Sequence, residues 1–346
     1  MFLRDIVVTK KKLRILFGPF HIGGMLWEYR TGLRALGVDA KVVVFLHHPF
    51  DYPADIEFQV YGNGNKYLKH LKLILLRFII TLKLIYNYDV FHFVFGESFC
   101  RYKLDVFILK LFQKKIVMHF VGSEIRPRKI AEDEMFNLSK KKKTARFWEK
   151  YADAIISFPE YSQLLTKKYS IIPLGYDLEY WKPFKPKISI KNDGKILIVH
   201  APSNREKKGT EYIIKAIEKL KENGYEIEFK LLEALPNSEI REWVNISDIV
   251  VDQLIIGWHG IFAIESMALG KPTLCYINED WKKDVSYAKS LPLVNTTPDT
   301  IYSNLKLLIE NPDLRTEIGQ KSRKYVEEVH DSKKVAKQLL EFYESL

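Results

Sequence analysis

The sequence predicts an α/β protein with two doubly wound domains, each built on a parallel sheet. Two distant segments, 13–37 and 248–277, carry the same pattern of an apolar strand, a glycine-containing loop and a helix. A length of 346 residues fits two domains of ordinary size. A proline-rich stretch at 183–186 and a polar run at 191–194 indicate a linker. We therefore expect domains at 1–183 and 184–330, followed by a C-terminal helix at 331–346.

The charge balance indicates an anionic partner. The net charge is +11, and nucleotide phosphates, anionic lipid and nucleic acid would all complement it. A generally lysine-rich composition is the alternative explanation. The sequence shows no RNP, helix-turn-helix or zinc pattern, so we do not expect nucleic acid as the partner.

Three features predict a cytoplasmic location. Cys100 and Cys275 lie within or beside predicted strands, so we expect core thiols and a reducing compartment. Residues 1–12 contain too short an apolar run for a signal peptide. The longest apolar region, 68–85, is interrupted by four basic residues, which argues against a membrane-spanning helix.

Hydrophobic periodicity gives the order of the elements. In the first half it predicts strands at 13–17, 40–46, 88–95, 115–121 and 154–157, and helices at 25–36, 66–86, 105–112 and 139–151. In the second half it predicts strands at 195–200, 226–233, 249–251, 273–277 and 291–294, helices at 211–222, 237–246 and 261–269, and three helices after Pro298. A turn is predicted at 63–65.

The predicted helix at 66–86 is apolar and basic at once. Its basic side chains could lie over anionic lipid headgroups, or they could snorkel to water from a helix that covers the core. Both readings stay open at this stage. The residues concerned are Lys66, Lys69, Lys72, Arg77 and Lys83.

Candidate binding residues cluster after the strand at 249–251. Gly257 and Gly260 bracket a loop that a ligand can approach closely. Glu265 follows inside the next helix, on the face that carries Ile261 and Ala268. Ligands of open α/β sheets bind beside such loops, at the carboxyl ends of the strands. A surface glutamate on an amphipathic helix is the alternative reading of Glu265.

Three further groups follow predicted strands. The loop that holds Gly23 and Gly24 lacks the strict G-x-G-x-x-G pattern, so it indicates no dinucleotide site, and a plain tight turn is one reading of it. His119 ends a strand just before an acid and an arginine, although a lone histidine is often structural. Arg205 and Lys208 precede a helix, where free backbone N–H groups add to their charge and favour an anion. A surface lysine cluster is the alternative there.

The segment Glu265–Pro272 resembles the second half of the carboxy-terminal signature of the GT-B glycosyltransferases known as glycosyl transferases group 1, a retaining family. The first glutamate of that signature would stand at position 257, where this chain has Gly257. The resemblance assigns Glu265 to the ribose hydroxyls of the donor. The role of the missing glutamate does not carry over, and Trp258 and His259 are our candidates to substitute for it.

Four other segments resemble motifs of the same family, in the same order along the chain. These are Gly23-Gly24, His119–Arg126, Pro173–Pro183 and Lys208-Gly209-Thr210. The resemblance implies that the double glycine makes room for sugar and phosphate, and that His119 faces the transferred sugar. It implies that Gly122 lets the backbone approach, and that Glu124 and Arg126 shape the acceptor side.

The resemblance also implies that Lys208 and Arg205 hold the donor diphosphate beside Thr210. Arg205 stands closer to the lysine than the family's arginine does. Because no acidic cluster has metal-binding spacing, we expect positive side chains to replace a divalent ion, with no metal and no cofactor.

The fold implied by the resemblance is GT-B, two Rossmann-like domains facing a central cleft. The first domain would take the acceptor and the second the nucleotide sugar, and the terminal helix would pack back on the first domain. The implied activity is transfer of a sugar from a nucleoside-diphosphate donor to a hydroxyl of a glycan or lipid-linked acceptor, with retention, in polysaccharide, lipopolysaccharide or glycolipid synthesis. Peripheral contact with an anionic membrane fits such acceptors. The alternatives are an inactive member that binds nucleotide and a basic anion-binding or nucleic-acid-binding protein.

Overall fold

The computed structural model describes residues 12–21, 23–45, 52–58, 66–126, 134–187 and 194–346. Over these ranges the chain forms two parallel β-sheets with helices between consecutive strands. Internal contacts divide it into a first unit, Met1–Ile172 with Ala336–Leu346, and a second unit, Pro173–Val335.

The first unit contains a six-stranded sheet in the order β3-β2-β1-β4-β5-β6. All of its strand pairs are parallel, and the order is that of a Rossmann fold. The strands are β1 (Arg14–Gly18), β2 (Asp39–Val44), β3 (Ile56–Glu57), β4 (Val90–Val94), β5 (Lys115–His119) and β6 (Ala154–Ile156). The helices are α1 (Met25–Ala35), α2 (Lys66–Ile85), α3 (Leu104–Leu111), α4 (Glu134–Tyr151) and α5 (Pro159–Ser162).

The strands and helices predicted from periodicity are confirmed in this unit, because its central strands are buried on both faces. Every residue of β4 is buried, which explains the continuous apolar run there. β3 and α5 were not predicted, since two and four residues are too short for a period to show. The turn predicted at 63–65 and the side chains of Lys66, Lys69 and Lys72 lie outside the described residues.

The second unit contains a five-stranded parallel sheet in the order β11-β10-β9-β7-β8. The strands are β7 (Ile196–His200), β8 (Ile227–Leu231), β9 (Ile249–Val251), β10 (Thr273–Cys275) and β11 (Val294–Asn295). The helices are α6 (Arg205–Lys208), α7 (Thr210–Glu222), α8 (Asn237–Ile246), α9 (Ile261–Ala268), α10 (Glu279–Asp284), α11 (Ile301–Glu310) and α12 (Pro312–Val329). The last helix, α13 (Ser332–Glu344), begins in this unit and belongs to the first unit from Ala336 onward. Strand order therefore reverses between β7 and β9, next to which a ligand site is expected.

The stretch read as a linker is packed in its described part. The Asn245 amide donates to Phe184 O at 2.9 Å, and the Arg241 guanidinium lies 3.9 Å from the centre of the Phe184 ring. The His330 ring nitrogen Nδ1 lies 2.8 Å from Leu174 O. These contacts attach residues 173–187 to the second unit, so the division falls ahead of the position proposed from composition.

The end of α13 belongs to the first unit, where the Tyr343 hydroxyl lies 2.6 Å from His92 Nδ1. Cys100 and Cys275 are free and buried. Among the described helices, none has the length and apolar character needed to cross a bilayer.

Candidate functional site

The switch point of the second sheet lies between β7 and β9. The loop after β7 leads into α6, and the loop after β9 leads into α9. Leu254 N donates to Lys208 O at 3.1 Å, which ties the two loops together. The predicted anion loop and the predicted glycine loop are thus adjacent.

Lys208 is held by its neighbours at the end of α6. Asn204 caps the start of this helix by accepting from Lys207 N at 2.9 Å, and Gly209 ends it with φ of 75°. The Lys208 ammonium lies 2.5 Å from Asp252 Oδ1. The Lys208 side chain is 13% exposed and that of Asp252 is fully buried, so the ion pair is shielded from water but open on one side.

Asp252 is the main residue that the sequence analysis missed. Its second oxygen, Oδ2, accepts from Gly260 N at 3.3 Å, at the start of α9. Burial raises the pKa of Asp252, but the charge and hydrogen bond of Lys208 outweigh it, and the pKa falls below its usual value. The position of Asp252 directly after a buried strand was the sequence signal that could have identified it. Asp252 therefore fixes an ammonium against the N-terminus of a helix, where an anion is favoured.

Glu265 lies inside α9 and is 6% exposed. Burial raises its pKa to about 8, against the opposing effect of the Asn237 amide, whose Nδ2 lies 3.4 Å from Glu265 Oε1. The carboxyl is therefore mostly protonated at neutral pH. A neutral carboxyl can both donate and accept, which suits a pair of ligand hydroxyls.

Gln253 shapes the loop between Asp252 and Gly260. Its amide nitrogen donates to Tyr276 O at 2.7 Å and to Trp258 O at 3.3 Å, and its carbonyl oxygen accepts from Ile255 N at 2.8 Å. A single buried amide thus ties this loop to the end of β10.

Gly257 cannot be replaced simply by the glutamate of the family signature. Its φ is 92°, and a Cβ there would lie 2.8 Å from Cζ3 of Trp281. Trp258 and His259 are both buried, with ring centres 5.2 Å apart. Burial lowers the pKa of His259 to about 4, so its ring is neutral. Their substitution for the missing glutamate stays a prediction.

Arg205 is paired with acids of its own unit. Its guanidinium donates to Glu233 at 2.8 and 2.6 Å and lies 3.5 Å from Glu211. All three side chains are largely exposed. A diphosphate would have to compete with these carboxylates, and the role of Arg205 stays a prediction.

Thr210 is fully buried at the start of α7. Its hydroxyl lies 2.9 Å from His200 Nε2, and His200 Nδ1 lies 2.8 Å from Val251 O. The hydroxyl is therefore occupied by a bridge between β7, β9 and α7. The donor contact of Thr210 stays a prediction.

In the first unit, Gly23 and Gly24 follow β1 with φ of 53° and 76°. Gly24 O accepts from Trp27 N at 3.0 Å and starts α1. A Cβ on Gly24 would lie 3.4 Å from the Tyr52 ring, so the left-handed backbone, more than space, selects glycine here.

His119 ends β5 and is fully buried. Its ring is stacked on that of Tyr29 with centres 6.3 Å apart, and neither ring nitrogen has a hydrogen-bond partner among the described residues. Burial lowers its pKa to about 3, so the ring is neutral. The contact of His119 with the transferred sugar, which the resemblance implies, stays a prediction.

The polar side chains in the loop after His119 are engaged by other residues of the first unit. Glu124 Oε1 accepts from Val121 N at 2.6 Å, and burial raises the pKa of Glu124. A Cβ on Gly122 would lie 3.5 Å from Glu124 Oε2. Arg126 lies 2.5 Å from Glu160 Oε1. These contacts give Glu124 and Arg126 a structural role, while their acceptor role stays a prediction.

The described residues contain no group of three or more His, Cys, Asp or Glu side chains placed to hold a metal ion. Independence from metal stays a prediction.

Two Rossmann-like units in this strand order define the GT-B fold, and the predicted fold class is confirmed. The chain is similar in structure to sucrose-phosphate synthase from Thermosynechococcus elongatus, with a TM-score of 0.69, 13% identity, and 97% of this chain and 99% of that chain covered. It is also similar to Anabaena Alr3699/HepE in complex with UDP-glucose, with a TM-score of 0.64, 16% identity, and 96% and 100% covered.

A third similar structure is the UDP-GlcNAc 2-epimerase from Neisseria meningitidis bound to UDP-GlcNAc, with a TM-score of 0.54, 14% identity, and 97% and 100% covered. No family model and no curated protein matches the sequence. At these identities the comparisons establish the fold, and membership of the group 1 family stays a prediction.

Proposed function

We propose that this protein is a glycosyltransferase that moves a sugar from a nucleoside-diphosphate donor to an acceptor hydroxyl. The observation that carries the proposal is the ion pair of Lys208 and Asp252 against the N-terminus of α9, at the switch point of the second sheet. Two of the similar structures contain UDP-glucose or UDP-GlcNAc, which supports a nucleotide-sugar ligand.

The chemistry follows from charge. When the bond to the anomeric carbon breaks, negative charge builds on the departing diphosphate. An ammonium has three N–H donors, so Lys208 can hold Asp252 and still donate to a phosphate oxygen. The start of α9 adds further N–H groups, and such preorganised donors stabilise developing charge. Glu265 would bind the ribose hydroxyls and His119 the transferred sugar.

The resemblance supports a finer proposal. It favours retention at the anomeric carbon, a glycan or lipid-linked acceptor, and a cytoplasmic reaction at the inner face of a membrane in cell-surface polysaccharide or glycolipid synthesis. An epimerase acting on a UDP-sugar is the second candidate, because one of the similar structures has that activity in its name.

A thermal-shift panel of UDP, GDP, ADP and their sugars tests the donor site. We expect one nucleotide to stabilise the protein clearly. Lys208→Ala and Glu265→Ala should abolish the shift, each measured against its own unliganded melting temperature. Lys215→Ala, a change of an exposed lysine on α7, should keep it. If both site variants keep the shift, the proposed donor site is wrong.

Product analysis separates the two activities. A transferase releases the nucleoside diphosphate in proportion to the glycosylated acceptor that it forms. An epimerase converts UDP-GlcNAc with no acceptor present. Conversion without acceptor would overturn the transferase proposal, and nucleotide binding with no turnover on any acceptor would favour an inactive member.

A further inference from the structure

One face of the first unit has many large apolar side chains that are exposed to solvent. On α2 the exposed residues follow helical spacing, and on the 3₁₀ turn Arg101–Lys103 and α3 they do the same. The residues are Leu75, Leu76, Ile79, Leu82, Tyr86, Tyr102, Leu104, Phe107, Leu111 and Phe112. Most of the exposed large apolar side chains of the described residues are in this set, which we call the apolar face.

The apolar face is continuous across the two helices. The rings of Tyr86 and Phe112 meet edge to face at 5.8 Å, which joins the end of α2 to the end of α3. Tyr86 is 71% exposed and Leu111 is 79% exposed, so these side chains stand clear of the core. Contiguous apolar surface of this kind marks an interaction site.

A basic groove on α4 adjoins the apolar face. The Phe107 ring lies 6.3 Å from Phe147 and 5.0 Å from Tyr151 of α4. Phe147 also lines the groove, and Lys103 Nζ lies 5.3 Å from the centre of its ring. The groove is lined by Leu138, Ser139, Lys142, Lys143, Arg146, Phe147 and Lys150.

Among the described side chains of α2, α3 and α4, no carboxylate is exposed to solvent. Asp105 of α3 is fully buried and accepts from Ser98 Oγ at 2.6 Å. Glu149 of α4 is 5% exposed and accepts from Lys167 N at 2.7 Å. Arg146 is paired with Glu149, so Lys142, Lys143 and Lys150 supply the exposed positive charge of the groove. Apolar surface bordered by exposed lysines complements an anionic lipid surface, because the apolar side chains reach the acyl boundary while the cations contact phosphates.

We infer that the apolar face and the basic groove of α4 form a docking surface for an anionic lipid bilayer. The surface gives a specific location to the membrane contact in the proposed function. Vesicle binding requires neither donor nor acceptor, so the two proposals fail independently of each other.

Vesicle co-sedimentation tests the inference on the full chain without nucleotide. Wild-type protein should bind phosphatidylcholine vesicles that contain phosphatidylglycerol, and it should not bind vesicles of pure phosphatidylcholine. Binding to the anionic vesicles should be lost in high salt. Lys142→Glu/Lys143→Glu should lower the partition coefficient at least about tenfold. The matched control is Lys215→Glu/Lys221→Glu, a reversal of two exposed lysines on α7 that should change binding little.

The apolar contribution has its own pair of variants. Leu75→Glu/Leu111→Glu changes, on α2 and on α3, the leucine whose side chain is the most exposed of those described, and should also lower binding at least about tenfold. Tyr212→Glu/Leu307→Glu adds the same charge at exposed positions of the second unit and should not. Circular dichroism melts check that all variants fold.

Three results would overturn the inference. They are equal binding of both vesicle types, equal losses in test and control variants, and no binding by wild-type protein. A concentration-dependent dimer in sedimentation velocity that Leu75→Glu/Leu111→Glu dissociates would instead assign the apolar face to a second copy of the chain.

Discussion

The ammonium of Lys208 lies 2.5 Å from the buried carboxylate of Asp252, 44 residues further along the chain. The Lys208 side chain is 13% exposed and that of Asp252 is fully buried, so the ammonium compensates a carboxylate that has no access to water. Breaking a buried pair leaves one charge uncompensated, whereas replacing both groups by apolar ones removes the problem.

Lys208→Met should lower the free energy of unfolding by about 3–5 kcal/mol, because Asp252 is left buried without its partner. Lys208→Met/Asp252→Leu should recover most of that loss while still failing to bind nucleotide. Urea denaturation measures the stabilities and thermal shift measures the binding. If Lys208→Met alone is as stable as wild type, Lys208 and Asp252 are not energetically coupled.

Glu265→Gln should fold and bind nucleotide nearly as wild type does, since the carboxyl is already mostly neutral at pH 7. The pKa of Glu265 is raised in the folded state from its usual 4.5 to about 8. Its contribution to stability is therefore full at low pH and is lost as pH rises through about 8. Wild-type stability should fall over that window, and Glu265→Gln should flatten the fall.

Urea midpoints across that pH range measure the effect. Glu218→Gln, a change of an exposed glutamate on α7, is the control and should leave the slope unchanged. If the slope of Glu265→Gln equals that of wild type, Glu265 is ionised in the folded protein.

His200→Gln should make the free energy of unfolding less sensitive to acid. Burial lowers the pKa of His200 from 6.5 to about 4, against the opposing effect of the bond to Val251 O. The stability tied to the neutral ring is present above pH 6.5 and is lost as pH falls towards about 4. At pH 5 the loss from this residue is about 2 kcal/mol.

The measurement compares the free energy of unfolding at pH 7 and pH 5 in wild type and His200→Gln. The glutamine can keep one donor and one acceptor, so the difference between the two pH values isolates protonation from packing. Identical pH dependence in both proteins would contradict the prediction.

Gly257→Ala should cost more stability than Gly224→Ala. Both glycines have positive φ, 92° and 84°, so both variants carry backbone strain. A Cβ at Gly257 would meet Trp281 at 2.8 Å, while a Cβ at Gly224 meets nothing within 4 Å. The excess loss, about 1–3 kcal/mol by analogy with overpacking, measures the steric part. Equal losses would show that Trp281 moves aside freely.

Gly257→Glu tests whether the missing glutamate of the family signature can simply be restored. We expect it to destabilise the protein, because of the positive φ and the contact with Trp281, and to leave any transfer activity no higher. Increased activity with unchanged stability would contradict the loop geometry.

The sequence by itself determined the fold class and the order of most elements, and it missed the short β3, α5, α6 and α10. Apolar runs and helical spacing are local signals, and buried parallel strands such as β4 and β9 make them strong. The sequence also predicted His119 at the carboxyl end of a strand, and Lys208 and Glu265 in segments that follow strands, which is where ligand sites of doubly wound sheets lie.

Only the tertiary structure decided the chemical state of those residues. Asp252 reaches Lys208 because β7 and β9 are neighbours, and the same sheet order ties His200 to Thr210 and to Val251 O. Burial and partners from distant segments set each pKa. Periodicity reports which face of an element is apolar, but it carries no information on which charged groups meet across the sheet.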